Sequence, residues 1–172
     1  ECSGTLHHMK NPVTGLKILS DILQPGGYLK LGLYSQGARE HVIKVKEFIK
    51  KMSFNNTLED IRACRQILIN KKDDKLLQQS AFGYDFYSTS SVRDLLFHVQ
   101  EHRFTISQIS EILKNLNLEF LGFIYSDPLT KREFSKLFPS DINNISLVNW
   151  HKFEEKFPDT FANMYQFWVR KN

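Results

Sequence analysis

Four of the six histidines in this chain sit where their spacing could do chemistry. His7 and His8 follow Ser3-Gly4-Thr5-Leu6, a stretch that reads as a strand end and a turn. An imidazole placed there can take a proton from a nucleophile; a substrate contact or a structural residue at a helix start is the alternative. Adjacent side chains in a turn point apart, so at most one of the pair faces a pocket, and His8 is preferred. Gly4 lets backbone approach a ligand closely, or simply makes a tight turn. Tyr34 ends a second strand, where it serves either a reaction or packing on the next helix. His98 and His102 are four apart on a helix predicted from Ser91 to His102, so they share one side beside Leu95, Leu96 and Val99. That spacing can hold zinc. No third ligand is evident, however, and Glu101 is not in the HExxH position. Histidines at the rim of a buried helix are the favoured reading, with Glu101, His102 and Arg103 as a substrate-side cover between the two extremes.

The elements that would position these groups are legible from pattern. Asn11 before Pro12 starts a helix, because Pro at the first helical position loses no intrahelical bond. Leu16, Leu19, Ile22 and Leu23 follow at helical spacing, and Pro25-Gly26-Gly27 stops them. Tyr28 to Tyr34 alternates as a strand. Helices are expected at Arg39 to Met52, from a cap at Asn56 or Thr57 and lined by Leu58, Ile61, Ala63, Ile67 and Leu68, from Thr105 with a capping box, at Lys131 to Phe138 and at Ser146 to Phe157. Leu118 to Tyr125 and Met164 to Arg170 read as strands. Lys71 to Lys75 is a charged loop, whereas Tyr84 to Ser91 favours no element. Strands split by helices indicate an α/β sheet: three strands and the stub of a fourth, with a helical insertion before the last two. One domain is expected over 1–172, divided at 1–52, 53–117 and 118–172.

The chain has 172 residues, 41% of them hydrophobic, and 14 Phe, 6 Tyr and 2 Trp. Tyr165, Phe167 and Trp168 are expected in sheet packing, and Trp150, Phe153 and Phe157 in the core. A net charge of +4 is too mild to argue for nucleic acid. Cys2 and Cys64 form no framework, so a cytoplasmic setting is expected, with Cys64 a small buried residue. No apolar run approaches a membrane span and no signal peptide is seen. Glu1 is not a translation start and reads as a boundary inside a longer protein.

Cys2-Ser-Gly-Thr-Leu-His-His-Met9, Pro12, Leu23-Gln-Pro-Gly-Gly27 and Leu31-Gly-Leu-Tyr-Ser35 together resemble class I methyltransferases that use S-adenosylmethionine. The likeness is to a bacterial branch often fused to tetratricopeptide repeats. Asp94 to Thr105, Pro158 to Ala162 and Met164 to Val169 resemble the same branch, so nearly the whole chain is covered. The resemblance implies the C-terminal half of a Rossmann-like sheet, with the final strand antiparallel and inserted between its neighbours. It places Ser3, Gly4, Thr5 and Leu6 on the cofactor side; by position in the chain, His8 and Tyr34 are the catalytic candidates, and His7, His98, Glu101 and His102 are expected on the substrate side. The methyl acceptor, small molecule or protein, is not given.

The family's glycine-rich loop and ribose-binding acid do not occur in these residues. This chain alone is therefore expected to bind S-adenosylmethionine weakly and to be inactive in isolation. Two other functions compete with a methyltransferase: a non-enzymatic interaction module that self-associates through an exposed sheet edge, and a histidine-based metal protein.

Overall fold

The computed structural model describes residues 1–71, 74, 75, 77, 86–125, 127–162 and 164–172. Part of the predicted charged loop (72 and 73) and of the stretch without a predicted element (84 and 85) lies outside them. The chain divides into two compact units, one made of residues 1–38 and 100–172 and the other of 39–99.

The first unit is an α/β layer. Strand β1 (Cys2–Ser3) leads through a 3₁₀ turn (Leu6–His8) to helix α1 (Pro12–Ile22) and strand β2 (Tyr28–Leu33). The Asn11 side chain accepts from Thr14 N–H and Pro12 opens α1, the expected start. Gly26 takes a positive φ of 77° to turn the chain into β2, a conformation that glycine adopts without strain. After the second unit come α5 (Ile106–Asn115), β3 (Leu118–Ile124), α6 (Pro128–Leu137), α7 (Leu147–Lys156) and β4 (Tyr165–Lys171). Thr105 and Gln108 close the predicted capping box on α5. Helix α6 begins three residues before its predicted start, because Asp127 caps it and Pro128 fits its first turn.

The four strands form one mixed sheet in the order β1-β2-β4-β3. β1 and β2 are parallel, with Cys2 opposite Leu31, and β4 is antiparallel to both β2 and β3. The last strand is thus inserted between its neighbours, and the carboxyl ends of β1, β2 and β3 share one edge. Alternation sends Leu29, Leu31 and Leu33 of β2 and Tyr165, Phe167 and Val169 of β4 into one core with Trp150, Phe153 and Phe134. Phe157 departs from the prediction: it lies just past α7 and is 36% exposed, with Lys156 Nζ 5.6 Å from its ring centre. Trp168 also departs, being 42% exposed, because alternation along β4 turns it away from Phe167 and Val169.

Gly32 is where β1 meets β2. A Cβ there would stand 2.8 Å from Ser3 Cβ and 2.9 Å from Met164 Sδ. We expect Gly32→Ala to cost about 1–3 kcal/mol by overpacking, read as a lower urea midpoint. An unchanged midpoint would show that β1 yields without loss.

The second unit is helical: α2 (Glu40–Lys51), α3 (Leu58–Asn70) and α4 (Thr89–Phe97). Val42, Val45, Ile49, Ile61, Cys64, Leu68, Val92 and Leu96 form its core. Thr57 caps α3 by accepting from Asp60 N–H. The buried stripe of α3 is Ile61, Cys64 and Leu68, whereas Leu58 and Ala63 are exposed. Burial pushes the Cys64 thiol up to about 11, which makes it a poor nucleophile.

The helix predicted to reach His102 stops at Phe97. His98 is its C-cap, with ψ 128°, and Val99 is 99% exposed instead of joining a stripe. The His102 amide donates to His7 O and the Phe104 amide to Tyr34 O, so neither remains available for a helical ladder. His98 and His102 do not share a helix face, and the zinc spacing read from the sequence disappears with it.

Candidate functional site

The shared carboxyl edge of the sheet gathers most of the predicted groups. β1 ends at Ser3, and Gly4 turns the chain with φ 78°, with no other heavy atom within 4 Å of the position its Cβ would take. Backbone is therefore open just past the strand end, as ligand-binding α/β edges require. Thr5 is exposed, and Leu6 is buried at 2%. Gly15 of α1 makes room for this turn. A Cβ there would fall 2.6 Å from Met9 Sδ and 2.9 Å from Leu6 Cδ2, so the 3₁₀ turn is seated directly on the helix.

The two histidine rings do not point apart as expected: they meet edge-on with centres 4.5 Å apart and differ in depth. His7 is fully buried and stacks on Tyr34 with ring centres 3.7 Å apart. His8 is half-buried and meets Tyr34 edge-on at 5.9 Å. His8 Nδ1 lies 3.0 Å from the Gln100 carbonyl. A carbonyl only accepts, so Nδ1 carries the hydrogen and Nε2 is the acceptor nitrogen of the neutral ring.

Residues 100–104 are tied to this edge by backbone hydrogen bonds and by a parallel bridge between Ser35 and Phe104. His102 N–H donates to His7 O at 2.7 Å, Phe104 N–H to Tyr34 O at 2.9 Å, and Gln36 N–H to Phe104 O at 2.9 Å. Gln100 Nε2 reaches Met9 O at 3.1 Å. The Glu101 side chain is 3% exposed, with Arg103 Nη1 3.7 Å from it. Ser3 to His8, Tyr34, Glu101 and His102 thus come together around one edge. His98 belongs to the helical unit. Among the described residues, no group of three or more His, Cys, Asp or Glu could hold a metal ion. No described helix is long and apolar enough to cross a membrane.

The sequence reading missed a buried polar group beneath this edge. Ser35 Oγ–H donates to Glu154 Oε1 at 2.8 Å, and the Tyr165 hydroxyl donates to the two carboxylate oxygens at 2.6 and 2.7 Å. Residues 119 apart give no periodic signal; a Glu on the apolar face of α7, next to Phe153, was the one available hint. Burial raises the Glu154 carboxyl above its ordinary 4.5, with the Tyr165 and Ser35 hydroxyls pulling the other way. Burial, reinforced by Glu154, also raises the Tyr165 hydroxyl.

A folded value above the unfolded one gives a definite sign. The contribution of Glu154 to stability is fully present below about pH 4.5 and falls as pH rises through the folded value. Glu154→Gln should flatten that part of the profile in urea unfolding across pH, and equal slopes in the two proteins would contradict it.

No known protein family matches the chain. An uncharacterized protein of Synechococcus is 23% identical over 128 residues, which span 71% of this chain and 31% of that protein. The structure of PKMT2 from Rickettsia typhi matches 98% of this chain and 34% of that one, with a TM-score of 0.69 at 15% identity. The chain has a methyltransferase-like fold. PKMT2 in complex with AdoHcy matches as well, with a TM-score of 0.66 at 17% identity. The chain spans about a third of the length of each of these proteins.

Proposed function

We propose that these four strands are the last four of the sheet of an S-adenosylmethionine-dependent methyltransferase, and that this chain supplies one wall of its site. The observation that carries the reading is the parallel β1–β2 pair, whose carboxyl ends place Gly4–His8 and Tyr34 together beside an inserted antiparallel β4. The open backbone at Gly4 fits a nucleotide-type ligand. The chain has no GxGxG, so the wall it offers is incomplete and binding by this chain alone is weak.

When bound, the sulfonium cofactor supplies an activated methyl group. The residues of this chain orient and exclude. His8 Nε2 accepts the proton of a protonated nucleophile. Tyr34 and the 100–104 crossing cover the edge against water, and His7 supports the Tyr34 ring from behind. Alignment of nucleophile and methyl group does most of the remaining work.

AdoHcy titrated to millimolar concentration should move the backbone amide signals of Gly4 to His8 and of Tyr34 before any others. Absence of shifts at those positions would remove the reading. Micromolar affinity by calorimetry would instead overturn the incomplete-wall part of it.

A second reading is association with another copy of the chain. One sheet face carries Tyr28 at 60% exposure, Trp168 at 42% and Ile124 at 41%, and such apolar surface marks association sites. A mass that rises with concentration in light scattering and returns to monomer in Trp168→Glu is expected. A clean monomer at high concentration would remove this reading.

A further inference from the structure

The Ser35–Glu154–Tyr165 group lies outside the chemistry described above, yet it joins the three elements that meet under the site. A carboxylate in an apolar core is strongly disfavoured unless its lone pairs are satisfied. Glu154 is only 9% exposed and stands on α7 beside Trp150 and Phe153, where an apolar side chain would pack without that cost. Its hydrogen bonds come from two hydroxyls. One belongs to Tyr165, the first residue of β4, directly opposite Leu33 near the end of β2. The other belongs to Ser35, two residues beyond Leu33.

Ser35 passes the constraint on, because its Oγ accepts from Ala38 N–H at 3.1 Å while it donates to Glu154. Tyr34 and Gln36, on either side, are bonded to Phe104 along the strand edge. Residues 34 to 36 are therefore held from the edge by Phe104 and from the core by Glu154.

We propose that Glu154 is a positioning residue which, through Ser35 and Tyr165, fixes the carboxyl end of β2 and thereby the stack of Tyr34 on His7. Its value for function rests on the methyltransferase reading; its geometry does not.

The test is nuclear magnetic resonance of the free chain with labelled histidine. In the native protein the His7 ring signals are expected to carry the upfield ring-current shift of a face-stacked tyrosine. Glu154→Leu and Ser35→Ala should both lose that shift and move the Phe104 amide, while the Leu31 and Phe167 amides keep their places in the sheet. Glu154→Gln retains an acceptor for both hydroxyls and should restore the native His7 signals.

If Glu154→Leu does not fold, Ser35→Ala decides. Native His7 and Phe104 signals in a folded Leu or Ala variant would overturn the proposal. So would a Gln variant that loses the stack as fully as Leu. No cofactor enters this measurement, so its failure leaves the methyl-transfer reading standing, and missing AdoHcy shifts leave the positioning role standing.

Discussion

Trp150→Ala is expected to bring the first unit to the margin of folding. The indole is fully buried and stacks on Phe134 with centres 3.9 Å apart. Phe123, Tyr125, Phe153 and Phe161 all have ring centres within 5.8 Å of it. Removing a residue so enclosed costs about 3–5 kcal/mol through lost transfer energy and the cavity left behind. A second loss adds to the first. Trp150 Nε1–H donates to Asn144 O at 2.8 Å, and Asn144 is itself buried at a φ of 56°. An orphaned buried carbonyl costs about 1–3 kcal/mol more. Since whole domains have about 5–15 kcal/mol in hand, guanidinium unfolding should show a strongly lowered midpoint or no native baseline. Trp150→Phe keeps most of the volume and should lose only the smaller share. A loss under about 1 kcal/mol in Trp150→Ala would mean that the aromatic cluster closes over the gap.

His8→Ala should be the most damaging substitution for turnover. In a methyltransferase that contains this domain, kcat falls about 10²–10⁴-fold if His8 takes the nucleophile's proton. The fold should lose only about 1 kcal/mol, the worth of the half-buried bond from His8 Nδ1 to the Gln100 carbonyl. His7→Ala reverses the pattern: it empties a fully buried site against Tyr34, so stability falls along with turnover. Measuring kcat and unfolding midpoint together separates the neighbours. Unchanged turnover in a folded His8→Ala protein would eliminate it as a base.

The sequence was most readable where local chemistry decides structure. Asn11-Pro12 and Thr105 with Gln108 announced helix starts because a cap is a contact across three residues. β2 and β4 showed strand alternation. The divergence expected of neighbouring side chains in a turn does not occur at His7 and His8, whose rings meet edge-on at 4.5 Å; what differs is their depth, which the sequence does not show. What remained hidden depends on distant partners. The course of residues 102 to 104 is tied by amides that bond to His7 and Tyr34, about ninety-five and seventy residues earlier in the chain. Periodicity alone carried α4 on to His102 and produced a histidine pair that the fold does not make. The Ser35–Glu154 bond was equally invisible, since nothing near Ser35 signals a carboxylate supplied by a late helix.

The insertion of β4 has a consequence for the order of events during synthesis. Among the described residues, β2 and β3 do not pair with each other and are joined through β4. A ribosome makes β2 and β3 first, so each emerges with an open hydrogen-bonding flank and no native neighbour to fill it. The sheet cannot be zipped until the strand that lies inside it has been translated. Until then those flanks can recruit other nascent chains. A sheet whose inner strand is made after both of its neighbours is therefore a natural client for chaperones until that strand is made, and slow decoding shortly before Tyr165 would lengthen the exposure.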